Sequence, residues 1–142
     1  MIAKQLSVFI ENRQGRLGEV LEVLKENKVN IISLSLADTT EYGLLRLIVN
    51  NPKLGKEKLS NNGFSTMLTD VLAVKIAHKS GSLQGLLELL SKNGINIEYM
   101  YGLSIDGDVA SVVLKANDLQ KADEILCKNG AETLSNKQIL NL

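Results

Sequence analysis

The sequence predicts an α+β chain built from two βαββαβ units, residues 1–69 and 70–142, each an antiparallel sheet with helices on one face. Three observations carry this. Shifting the chain by 66 residues lays "VFIENRQGRL" (Val8–Leu17) on "VKIAHKSGSL" (Val74–Leu83) and "KENKVNI" (Lys25–Ile31) on "SKNGINI" (Ser91–Ile97). Within each copy, stretches of period two alternate with stretches of period 3.6. Polar turns rich in Gly, Asn and Asp separate them.

The elements follow in order. Leu6, Val8 and Ile10, like Leu72, Val74 and Ile76, alternate as in a half-buried strand. Leu17, Val20, Leu21 and Leu24 recur at i, i+3, i+4 and i+7, as do Leu83, Leu86, Leu87 and Leu90, marking one stripe of a first helix. "NIISLSLA" and "NIEYMYGLS" then lead through "DTTEYG" and "IDGD" into "LLRLIVN" and "VASVVLKA", two hairpins. Asn51-Pro52 and Asn117-Asp118 open a second helix, which "NNGF" and "KNGA" close with a glycine suited to the left-handed conformation. Short strands "FSTML" and "AETLS" complete each copy. This order is the ferredoxin-like arrangement. Thr69 and Asp70 leave almost no linker, so the units are expected to pack closely. The tail "NKQILNL" could extend the sheet or pack on a second subunit.

Composition narrows the function. Sixteen basic and sixteen acidic residues give a formal net charge of +0 and a pI near 6.6, so a phosphate backbone or anionic lipid finds no electrostatic footprint. Aromatic content of 4% offers little for stacking bases. Apolar runs stop short of a membrane span, and the N-terminal residues do not read as a signal peptide. Cys127 is the single cysteine and cannot form an internal disulfide, which fits a reducing cytoplasm. No phosphate-loop, dinucleotide, C-x-x-C or H-E-x-x-H motif occurs, so no catalytic residue, metal site or cofactor is expected.

The recurring positions have binding chemistry. Gly15 and Gly81 sit where a strand turns into a helix, whose first-turn N–H groups attract a carboxylate. Asn30 and Asn96 begin the second strands with a carboxamide that both donates and accepts. Each glycine could serve its turn alone, and each asparagine its junction alone. His78, the one histidine, stands opposite Asn12. Ser80 can cap the helix that follows. Asp38, Glu41, Asp106 and Asp108 read as turn residues. Phe9, Tyr99 and Tyr101 alternate onto the sheet face away from the helices, where they favour a subunit contact.

Together "IENRQGRL…KVNI" resembles the opening of the ACT domain, a regulatory module of amino-acid metabolism, and "AHKSGSL…GINI" resembles it more weakly. Gln14 and Ser80 replace the proline usual before the glycine. The resemblance implies two ACT-like domains joined side by side into a continuous sheet, binding a small amino acid where they meet. It nominates Asn12, Gly15, Arg16, Leu17, Asn30 and Ile31 in the first copy, and His78, Gly81, Ser82, Leu83, Asn96 and Ile97 in the second. It also implies a homodimer or higher homo-oligomer formed through sheet faces or edges, and a metabolic enzyme partner. A ligand-independent docking module is the alternative.

Overall fold

The computed structural model describes residues 1–38 and 41–142. Residues 39–40, in the first expected hairpin loop, lie outside the described residues. The elements are β1 (Ala3–Glu11), α1 (Arg16–Glu26), β2 (Ile31–Asp38), β3 (Tyr42–Val49), α2 (Pro52–Asn61) and β4 (Ser65–Ala77). They continue as α3 (Ser82–Lys92), β5 (Ile97–Asp106), β6 (Val109–Ala116), α4 (Leu119–Lys128), β7 (Glu132–Leu134) and α5 (Asn136–Ile139). The chain divides into a first unit, Lys4–Thr69, and a second, Asp70–Leu142, to which Met1–Ala3 also belong. The expected βαββαβ order is present twice, β4 spanning the boundary as the last strand of one unit and the first of the other.

In the first unit the strand order is β2-β3-β1-β4. Leu6 lies opposite Leu47 and Val8 opposite Leu45, so the period-two apolar sets of β1 and β3 share one face. Val20, Val23 and Leu24 of α1, Leu59 of α2 and Phe64 close over that face as the core. Leu17 and Leu21, expected on the same stripe, are only half-buried. Leu17 sits in the first turn of the helix, over the sheet's end rather than its middle. Asn51 caps α2 by accepting the Leu54 N–H at 3.2 Å, with Pro52 in the first turn.

The second unit pairs β5 with β6, β6 with β4, and β4 with β7. Its core gathers Leu72, Val74, Leu86, Leu90, Leu114 and Leu126 on the helix face, with Ile2 packed against it. Ala73, Val113 and Leu134 share the opposite face by register and are also buried. That face had been expected to be open. The tail explains this: it is neither a strand nor a free end but the one-turn helix α5. Ser135 and Gln138 form its capping box, and Ile139 is 2% exposed. Asn141 and Leu142 lie beside Ser104 and Val109 at the same face. Tyr101, in register with Val113, is accordingly half-buried, whereas Phe9 in the first unit is 46% exposed.

The Met1 ammonium donates to Asp123 Oδ2 at 2.6 Å and to Thr133 Oγ1 at 2.8 Å, and Thr133 also donates to Asp123 Oδ1 at 2.8 Å. Burial raises the Asp123 carboxyl's affinity for a proton. The hydrogen bonds from the ammonium and Thr133 outweigh it, and the pKa ends below the ordinary carboxylate value. A depressed folded pKa stabilises above the unfolded value, and that stabilisation drains as pH falls through the folded one. Asp123→Asn should therefore lower the urea midpoint at pH 7 and flatten its decline below about pH 4. Equal acid sensitivity in the variant would show that other groups carry it. Cys127, exposed on α4, has its Sγ 3.6 Å from Asp123 Oδ1, at the rim of this network.

Candidate functional site

Both strand-to-helix turns have one geometry. Gly15 and Gly81 occupy the N-cap with φ 87°, left-handed backbone that a Cβ would strain, and neither helix receives a side-chain cap. Ser80 therefore does not cap α3, contrary to expectation, because the chain begins the helix one residue later. Each turn is pinned to the neighbouring hairpin: Asn12 N–H donates to Glu41 O at 2.9 Å, and His78 N–H to Asp108 O at 2.7 Å. His78 Nδ1 also lies 3.3 Å from Gly107 O.

The asparagines that begin β2 and β5 are held at the opposite ends of the units. Asn30 N–H donates to Asn50 Oδ1 at 2.9 Å while Asn50 N–H donates to Asn30 O at 3.0 Å. Asn96 and Asn117 repeat the clasp at 2.9 and 3.1 Å. The 66-residue shift hid these partners, because it lays Asn51 on Asn117. An extra residue in β5, at the bulge between Gly102 and Ser104, makes the offset 67 from there on. Asn51 then matches Asp118, both helix caps, and Asn50 matches Asn117.

Between Gly15 and Asn30 stand the 11 residues of α1, roughly 16 Å of helix. One small amino acid cannot span that, so Gly15 and Asn30 of the same unit do not meet on one ligand. Among the other nominated residues, Ile31 and Ile97 are partly buried against their own cores. Leu83 is 38% exposed and Ser82 half-buried. Arg16 turns back, with its guanidinium 4.2 Å from the centroid of the Phe64 ring and an Nη1 contact to Glu19 Oε2 at 2.5 Å.

The first unit's turn encloses a cavity of about 120 Å³. Ile10, Leu17 and Leu36 make its apolar floor, and Glu11, Asn12, Arg13 and Asp38 its polar rim. Asn12 Nδ2 donates to Asp38 Oδ1 at 3.3 Å, and Arg13 Nε to Glu11 Oε2 at 2.8 Å. That bond, with the Arg13 charge, holds the Glu11 carboxyl below its ordinary pKa. Gly43 belongs to the wall, where a Cβ would stand 3.2 Å from Ile10 Cγ1 and 3.3 Å from Leu36 Cδ1. A rim with one cation and two carboxylates above an apolar floor suits a zwitterion with a short side chain. Sequence reasoning kept Asn12 and Leu17 but missed Glu11, Arg13 and Leu36, and read Asp38 as a turn residue. The available signal was the charged pair flanking Asn12 in "ENR". In the second unit Ala77 and Lys79 replace Glu11 and Arg13, and Ala110 lies opposite Ile76 as Gly43 lies opposite Ile10. The two turns are chemically distinct.

Among the described residues no group of three His, Cys, Asp or Glu is placed to hold a metal, and no helix is long and apolar enough to cross a membrane.

With its two βαββαβ units and paired glycine turns, the chain belongs to the ACT domain pair family, whose match covers residues 1–142. It is similar to protein BT0572 from Bacteroides thetaiotaomicron, at 37% identity and TM-score 0.94, covering 100% of this chain and 98% of that one. The fold is shared with the regulatory subunit of aspartate kinase from Thermus thermophilus, at 16% identity and TM-score 0.64, covering 88% and 90% of the two chains. It is shared too with a structure of aspartokinase alpha and beta subunits, at 16% identity and TM-score 0.57, covering 99% and 97%. A search of curated proteins returns no match.

Proposed function

We propose that this protein is a regulatory amino-acid sensor, in which the first unit's cavity binds a small amino acid and its occupancy is passed to a metabolic enzyme or regulator. The observation that carries the reading is the mixed-charge rim of Glu11, Arg13 and Asp38 on a floor of Ile10, Leu17 and Leu36. The ligand carboxylate meets Arg13 and the uncapped first turn of α1, its ammonium meets Asp38, and its side chain rests on the floor. The volume admits a short side chain. Asn30 joins the site only from another ACT unit, which a second copy of the chain supplies. Exposed Leu34 and Leu36 on β2 suit that pairing.

A ligand that binds the folded state at a hundred times its Kd adds about 2.7 kcal/mol of stability. A thermal-shift panel of the common amino acids should therefore show one small amino acid raising the melting temperature, an effect that Arg13→Gln reduces by about tenfold in apparent affinity. If no amino acid stabilises the wild-type chain at millimolar concentration, sensing fails. The second reading, a docking module that needs no ligand, draws on the exposed Phe9 (46%) and Tyr42 (57%). Ligand-independent co-purification with one enzyme would favour it.

A further inference from the structure

The helices α1 to α4 close on the same hydrogen-bonded turn. The residue after the C-cap donates its N–H to the carbonyl three residues back, and the next residue donates to the carbonyl five back. In α2, α3 and α4 the residue after the C-cap is a glycine, Gly63, Gly94 and Gly130, with φ 84°, 76° and 82°. In α1 it is Lys28, at φ 56°, with Lys28 N–H to Lys25 O at 3.1 Å and Val29 N–H to Leu24 O at 2.9 Å. Among the described residues Lys28 is the non-glycine held in left-handed backbone, where a Cβ is strained. The helix dipole does not call for it, since each helix already carries a lysine in its last turn: Lys25, Lys58, Lys92 and Lys128. Lys28 is therefore surplus to the fold, at a position where glycine closes the other three helices.

Lys28 lines a groove of about 350 Å³ at the junction of α1 and β2. Leu21, Leu24, Val29 and Ile31 make its wall, and Lys25 and Lys28 are its charged groups. Leu21, Lys25 and Lys28 follow at i, i+4 and i+7, which sets both lysines on the side of the helix that Leu21 occupies. Both lysines are exposed, and neither is in an ion pair among the described residues. The second unit keeps the wall as Leu87, Leu90, Ile95 and Ile97 but has Ser91 and Gly94 in place of the two lysines. The wall therefore belongs to the fold, and the paired charge to the first unit alone. We propose that this groove binds a short dicarboxylate. Its two carboxylates meet the Lys25 and Lys28 ammonium groups, and its carbon chain lies on Leu21 and Ile31, both half-buried. Two unpaired cations facing one groove repel each other, and a dianion offsets both charges where a monoanion offsets one. The groove shares no residue with the Glu11, Arg13 and Asp38 cavity at the other end of α1, so neither reading depends on the other.

The experiment is an amide chemical-shift titration of the full chain, at constant ionic strength, with succinate, butyrate and inorganic phosphate. Succinate should produce saturable shifts at Lys25, Lys28 and Ile31 at millimolar concentration or below, with butyrate and phosphate at least about tenfold weaker. Lys25→Gln should weaken succinate by about tenfold. Lys28→Gly separates binding from folding. It should raise the urea midpoint, because glycine takes the left-handed turn without strain, and should weaken succinate by at least about tenfold. No saturable shift, succinate affinity unchanged in Lys28→Gly, a urea midpoint lowered by that substitution, phosphate binding as tightly as succinate, or shifts gathered instead at Asn12, Arg13 and Asp38 would overturn the proposal.

Discussion

Leu6→Ala should destabilise the chain by about 2–5 kcal/mol, the range for truncating a fully buried leucine. Leu6 is 0% exposed, lies opposite Leu47 in the sheet, and belongs to the first unit's core beneath both helices. Its upper wall is Gly55 of α2, where a Cβ would fall 3.0 Å from Leu6 Cδ2. The missing side chain at Gly55 lets the helix descend onto β1, and the leucine fills what the glycine leaves open. Truncating Leu6 therefore opens a cavity under a helix already at its closest approach, with little room for further collapse. Equilibrium urea unfolding measures the loss. A change below about 1 kcal/mol would mean that the neighbours relax into the space and that the packing account is wrong.

The second large effect is the converse substitution. Gly55→Val places a branched side chain where Leu6, Leu24 and Val29 already stand within 3.0 to 3.6 Å of the first added carbon, and should cost about 1–3 kcal/mol through overpacking. Helix propensity acts in the opposite sense, since glycine is worse than most residues inside a helix by up to about 1 kcal/mol. The balance is decided by the neighbours, which are fully or nearly fully buried and cannot swing into solvent. Because the two sites share one space, Leu6→Ala combined with Gly55→Ala should be less destabilising than the sum of the single changes. Additive costs would separate the helix from the strand in a way the 3.0 Å approach does not allow.

These residues show what could be read in advance. Leu6 and Val8 were assigned to the buried face by alternation alone, and Gly15, Gly63, Gly81 and Gly130 to turns by their positions after or before periodic runs. Those are local properties, written in neighbouring residues. Gly55 gave no such sign, since its role is set by a strand far away in the chain. The separation of Gly15 from Asn30 was legible in the Leu17–Leu24 stripe, which puts a helix between them, but the repeat shift grouped the two features because they recur together. The shift also failed beyond the β5 bulge, where one extra residue moved Asn117 from the partner of Asn51 to that of Asn50. The tail's helical turn was hidden because four residues are too few for periodicity to register.

The asparagine clasp divides labour between two identical side chains. Asn50 spends its carboxamide oxygen on the Asn30 main chain, so the junction closes without the Asn30 side chain. A saturation-mutagenesis library should then separate the two positions. Variants at Asn50 would be lost from the pool of abundant protein, whereas variants at Asn30 would persist there, and their loss under selection for activity would mark the Asn30 carboxamide as a binding group. Asn117 and Asn96 offer the same comparison in the second unit, within the same molecule, and so an internal measure of which ACT unit is under functional constraint.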